Sequence, residues 1–77
     1  MPEIFIETRE DLLVCNGSGY PVPRLIWYID GKHIKENKNE ETSLTIKRCS
    51  GNYNCSASNV FGTTSSTVHL PTAPAGK

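Results

Sequence analysis

The sequence predicts an all-β fold in which two antiparallel sheets pack as a sandwich. Three observations carry this. Apolar residues alternate with polar ones over short runs, as at Leu25, Trp27 and Ile29 and again at Leu44 and Ile46. That is the period of a half-buried strand. Turn residues separate the runs, at Asp30-Gly31, at Ser50-Gly51-Asn52 and from Asn59 to Gly62. Finally, Cys15, Trp27, Tyr53 and Cys55 form a constellation across the middle of the chain, with the tyrosine two residues ahead of the second cysteine. No segment has sustained helical periodicity, and no internal repeat is present.

Each element follows in order. Ile4 and Ile6 mark a short first strand. Leu12 and Val14 mark a second, expected to end at or near Cys15. In the third, Leu25, Trp27 and Ile29 face one way and Ile26, Tyr28 and Asp30 the other. Asp30-Gly31 is a hairpin signal, because both central positions tolerate positive φ. Lys32 to Lys35 is then a short fourth strand, and the polar run from Glu36 to Glu41 is expected to be an exposed loop. Leu44 and Ile46 point inward on the fifth strand, with Thr45 and Lys47 outward. Ser50-Gly51-Asn52 turns into a sixth strand from Tyr53 to Ser58, with Tyr53 and Cys55 inward and Asn54 outward. The turn from Asn59 to Gly62 leads to a seventh strand from Thr63 to Leu70, where β-branched residues dominate.

Around the first cysteine the chain reads Cys15-Asn-Gly-Ser-Gly-Tyr-Pro21-Val-Pro23-Arg-Leu-Ile-Trp27, and around the second Gly51-Asn-Tyr53-Asn-Cys55-Ser-Ala57-Ser-Asn59-Val-Phe-Gly62. These resemble the Cys-x-x-x-Gly-x-Pro-x-Pro-x-x-x-Trp and Gly-x-Tyr-x-Cys-x-Ala-x-Asn-x-x-Gly runs of I-set and C2-set immunoglobulin domains. The resemblance covers roughly residues 3 to 70. It implies an immunoglobulin-like antiparallel β-sandwich of Greek-key topology, with the first, second and fifth strands in one sheet and the other four in the second. It implies a Cys15–Cys55 bridge between the sheets, Trp27 packed on that bridge, and Leu44, Ile46 and Tyr53 as further core residues. A reduced pair of buried thiols and a Cys49–Cys55 link are the competing states of these cysteines.

Two departures from the family pattern refine the expectation. Only 17 residues separate Trp27 from Leu44, so the strand called D in this family is expected to be missing or vestigial, giving a compact variant. Only nine residues separate Leu44 from Tyr53, and Cys49 stands where I-set domains carry the Asp of Asp-x-Gly-x-Tyr-x-Cys. The tight turn after an Asp-Gly hairpin is similar to the membrane-proximal domains of intercellular adhesion molecules, although those often replace the tryptophan that this chain keeps.

Composition narrows the function. Seventy-seven residues make one small domain, expected to span 1–70, with the Pro/Ala/Gly-rich 71–77 as a linker or tail. Eight basic and eight acidic side chains cancel, so nothing points to nucleic acid. Apolar runs fall far short of the roughly 20 residues of a membrane span, so no direct membrane insertion is expected. Met1-Pro2-Glu3 lacks the basic start and apolar stretch of a signal peptide, which reads as a piece excised from a longer chain. His33 and His69 lie on different strands without further ligands, so no metal or cofactor is expected. No nucleophile–base arrangement stands out and no phosphate loop is present, so no enzyme is expected.

What remains is recognition. The resemblance implies a module of a cell-surface receptor or adhesion protein that contacts another protein or neighbouring immunoglobulin domains of its own chain. An intracellular scaffold module of the muscle or cytoskeletal type is the alternative. Asn16-Gly-Ser18, expected beside a turn, and Asn54-Cys-Ser56 match the acceptor pattern for N-glycosylation. Cys49 is the odd cysteine, a free thiol beside Lys47 and Arg48. Phe61 at a loop tip and Tyr28 on the third strand are candidate contact residues. Glu36 is a candidate for the exposed acid that integrin ligands of this superfamily present to a partner's metal. A bare edge on the fifth strand would permit a homodimer.

Overall fold

The computed structural model describes residues 2–38 and 41–70. The expected tail 71–77, and positions 39 and 40 of the expected polar loop, lie outside the described residues. Seven strands are present: β1 Glu3–Thr8, β2 Leu12–Ser18, β3 Arg24–Ile29, β4 Lys32–Glu36, β5 Ser43–Lys47, β6 Gly51–Asn59 and β7 Gly62–Leu70. They form a three-stranded sheet in the order β1-β2-β5 and a four-stranded sheet in the order β4-β3-β6-β7. Every pairing is antiparallel, and the chain crosses between sheets after β2, β4 and β5, which is the Greek-key sandwich.

The core sits between the sheets. Leu13 and Cys15 of β2, Leu25 and Trp27 of β3, Leu44 and Ile46 of β5, and Tyr53, Cys55 and Ala57 of β6 fill it. The Cys15 and Cys55 sulfurs are bonded, joining the central strand of one sheet to a central strand of the other. Trp27 lies directly opposite Cys55 in the β3–β6 register, so the indole is the bridge's inner-face neighbour. Its edge meets Tyr53 at a ring-centroid distance of 6.1 Å and an interplanar angle of 88°, the favourable T-shaped arrangement. Its Nε1–H donates to the Leu44 carbonyl at 2.8 Å, so the one polar atom of the indole is satisfied inside the core.

Three expectations change. β2 continues past Cys15 to Ser18, and its buried residues are Leu13, Cys15 and Gly17, while Leu12 and Val14 sit on the other face. The phase is set by Cys15, which must point between the sheets to reach Cys55; the apolar residues of β2 stand on both faces and leave the phase open. Asn16 is therefore mid-strand, not beside a turn. Glu36 is the last residue of β4 and not the first of a loop. Among the described residues no strand lies between β4 and β5, as expected for the missing D strand. Asn37, just past β4, adds to the pairing on β3: its backbone N–H donates to the Leu25 carbonyl at 3.0 Å and its Oδ1 accepts the Leu25 N–H at 2.9 Å.

The turns follow their residues. Asp30 (φ 50°) and Gly31 (φ 85°) both take positive φ, as a tight hairpin between β3 and β4 requires. Gly17 has a packing reason instead: a Cβ there would lie 2.5 Å from Leu25 Cδ2, so the facing sheet leaves no room for a side chain.

Candidate functional site

The end of the sandwich where β2 leads into β3 and β6 turns into β7 gathers residues from three separated segments. Tyr20, Val60 and Phe61 stand 88%, 81% and 67% exposed there. Asn59 ties the segments together: its Nδ2 donates to the Pro21 carbonyl at 2.9 Å, and its Oδ1 accepts the Phe61 N–H at 2.9 Å. The second bond is a local side-chain turn of the kind Asn forms readily. A depression of about 260 Å³ lies beside the tip, with Val22, Arg24, Asn37, Lys38, Asn59 and Val60 in its wall. Gly19 approaches Pro2 so closely that a Cβ would lie 3.2 Å from the Pro2 Cα, which puts the start of β1 at this same end. Phe61 does not fold down over the core. Tyr20 and the clamp residue Asn59 went unread as functional residues in the sequence; an aromatic beside Gly19 and Pro21 in a turn, and an Asn two residues ahead of Phe61, were the available signals.

The β3–β4 hairpin is polar and already engaged. Tyr28 meets the His33 ring edge-on at 6.0 Å. Glu36 accepts from Arg24 Nη1 at 2.8 Å, and its other oxygen lies 3.2 Å from His33 Nε2. The Glu36 carboxylate thus has partners on its own sheet. Exposed pairs of this kind contribute about 0–1 kcal/mol, so they orient the side chains more than they stabilise the fold. Lys35 Nζ reaches across to the Thr45 carbonyl at 3.1 Å. This occupies one carbonyl on the open edge of β5.

Around the bridge, Tyr53 is fully buried, and its hydroxyl accepts the Cys49 N–H at 3.0 Å. That bond fixes the short turn between β5 and β6. Cys49 is exposed and carries a free thiol. Burial pushes the Tyr53 phenol above its ordinary value. A raised folded-state value means that this contribution to stability is intact below about pH 10 and is lost as pH climbs through the folded value. Tyr53→Phe is expected to cost about 1 kcal/mol through the unpaired turn amide. It is also expected to remove this part of the alkaline loss, measured by denaturant unfolding between neutral pH and about pH 11. An alkaline limb identical in both proteins would contradict the assignment.

The two glycosylation patterns differ in setting. Asn16 lies in β2 between Phe5 of β1 and Ser43 of β5. Asn54 lies in β6 between Tyr28 and Thr67, and its Nδ2 donates to Thr67 Oγ1 at 3.1 Å. His33 and His69 are apart, the latter bonded to Asn52 Oδ1.

The family model for the immunoglobulin domain matches residues 2–59. Over 70 residues the chain is 34% identical to neural cell adhesion molecule 1 of Homo sapiens, covering 75% of this chain and 8% of that protein. It is 42% identical over 42 residues to cell surface glycoprotein MUC18 of Homo sapiens, covering 49% of this chain and 6% of that one. It is 33% identical over 76 residues to striated muscle preferentially expressed protein kinase of Danio rerio, covering 84% of this chain and 2% of that one. The chain thus spans less than a tenth of these relatives. A domain-sized match, two antiparallel sheets and a Cys15–Cys55 bridge backed by a buried tryptophan agree: the chain belongs to the immunoglobulin domain family.

Proposed function

We propose that the chain is a non-catalytic module of a cell-surface receptor or adhesion protein, presenting the loop end of its sandwich to another protein. The observation that carries this is the exposure of Tyr20, Val60 and Phe61 together on loops locked by Asn59. Large apolar side chains in water, held rigidly, are the composition of a contact patch, and aromatic anchors dominate interface energetics. The bridge supports an oxidising compartment, and two of the relatives carry cell adhesion or the cell surface in their names. Residues 1–70 are the module in this reading and 71–77 lead toward a neighbouring domain. A homodimer through β5 is less favoured, because Lys35 already takes the Thr45 carbonyl on that edge.

Phe61→Ser tests the contact. It is expected to shift stability by no more than about 0.5 kcal/mol, as a surface change does, and to weaken cell binding of the soluble parent ectodomain about tenfold or more. Unchanged binding, read by flow cytometry, would remove the loop end from the interface; a collapsed melting temperature would make Phe61 a core residue.

The second reading, an intracellular I-set module of a muscle or cytoskeletal scaffold, is favoured by the likeness to the muscle kinase over 84% of the chain. Non-reducing peptide mapping of the parent protein from its native source separates the two. A Cys15–Cys55 cross-link supports the surface reading, and three free thiols support the scaffold.

A further inference from the structure

Phe5 has no place in the core. It is 65% exposed, while its neighbours Ile4 and Ile6 pack inward. The β1–β2 register sets Phe5 directly opposite Asn16, and the β2–β5 register sets Asn16 opposite Ser43. Residues paired in this way share a face, with Cβ atoms about 5 Å apart. Cys15 and Gly17 on either side of Asn16 are buried, so Asn16 faces outward with Phe5. A shallow depression of about 160 Å³ runs along this patch, between Phe5 and the stretch from Asn16 to Ser18. Gly17 is dictated by Leu25 beneath it; no such packing demand dictates Asn16 or Ser18, which complete the acceptor pattern Asn16-Gly17-Ser18.

We propose that Asn16 carries an N-linked glycan whose innermost N-acetylglucosamine lies with its apolar face on the Phe5 ring. The pairing is chemical. One face of the sugar ring presents C–H bonds, and an aromatic face is electron-rich and costly to leave in water. The sugar covers the ring while its hydroxyls stay hydrated. The donor is an oligosaccharide joined through a diphosphate to a membrane lipid. The bond from Asn16 Nδ2 to the sugar C1 forms, the C1–O bond to the diphosphate breaks, the lipid diphosphate leaves with the electron pair, and Nδ2 gives up one proton. Asn54 is not the equivalent site. Its Nδ2 is committed to Thr67 Oγ1, its opposite aromatic Tyr28 is engaged by His33, and the middle residue of its pattern, Cys55, is held in the bridge.

This inference rests on the extracellular reading, because the donor is met only in the secretory pathway. The test therefore forces the route. The full 77-residue chain is secreted from mammalian cells behind a heterologous signal peptide and weighed intact before and after peptide N-glycosidase. Occupancy at Asn16, none at Asn54, and loss on Ser18→Ala are expected. An empty Asn16 or an occupied Asn54 overturns the site assignment and leaves the extracellular reading untouched. Free thiols in the native parent would instead overturn that reading. The contact is tested by melting the glycosylated protein against Ser18→Ala. The glycan is expected to raise Tm by roughly 2–6 °C, the scale of one modest contact in a domain this small. Phe5→Ser is expected to abolish that increment, and Phe5→Tyr to keep it. Proton NMR of the innermost sugar supplies the second readout: its ring C–H signals are expected to lie upfield in the glycosylated wild type and to lose that displacement in the Phe5→Ser variant. An increment and chemical shifts indifferent to the Phe5 substitutions overturn the packing.

Discussion

Replacing Cys15 and Cys55 together by alanine is expected to leave this domain largely unfolded at 37 °C. The bridge closes a sequence separation of 40 residues, and constraining such a loop in the unfolded chain stabilises the fold by about 4 kcal/mol on the chain-entropy account. A domain of this size has a net stability of roughly 4–11 kcal/mol, so the loss takes a third or more of it. The substitution also removes two fully buried sulfurs from the contact between the sheets, and the resulting void adds to the loss. The effect is read by denaturant unfolding of the oxidised wild type against the double variant, with a midpoint shift as the observable. A shift worth less than about 1 kcal/mol would mean that the sheets hold together without the bridge, against its placement at the centre of the core.

Trp27→Ala is expected to cost about 3–5 kcal/mol, the range for emptying a buried aromatic site. Three separate losses combine. The fully buried indole leaves a cavity between the sheets. The T-shaped contact with Tyr53 goes. The Leu44 carbonyl loses the buried indole donor. The last loss separates two substitutions: Trp27→Phe restores most of the volume without the donor and is expected to recover more than half of the loss. Because Trp27 stands opposite Cys55 in the register, its loss and that of the bridge are not expected to add, since residues in contact share the same packing. A near-native melting temperature for Trp27→Ala would remove the indole from the core.

The core and the contact end differ in how far they could be read from sequence. The inner faces of β3, β5 and β6 were legible because each alternates cleanly and carries a residue whose chemistry demands the inside: Trp27, Leu44 with Ile46, and Tyr53 with Cys55. β2 was not, because Leu12, Leu13 and Val14 are apolar on both faces and only pairing across the sandwich selects one. Glu36 read as loop because charge alone says nothing about backbone pairing; Ile26 opposite it on β3 extends the strand by one residue. The contact end was half legible. Phe61 on a tight turn was visible, but Tyr20 lies about forty residues earlier in the chain, and only the clamp from Asn59 to the Pro21 carbonyl shows that the two share an end.

The sequence by itself determined the strands and their turns, which rest on local period and turn chemistry, properties of neighbouring residues. Its resemblance to immunoglobulin domains implied the family, the membership of the two sheets, the bridge with its tryptophan and, from the short spacing between Trp27 and Leu44, the loss of the D strand. The tertiary structure alone decided the facing of β2, the position of Asn16 beside Phe5, the engagement of Glu36, and the placing of Tyr20 at the same end as Phe61. Each of these depends on register between strands distant in the chain. A strand's period says which residues share a face, but which residue it faces across a sheet is fixed only when the whole sandwich closes on its core.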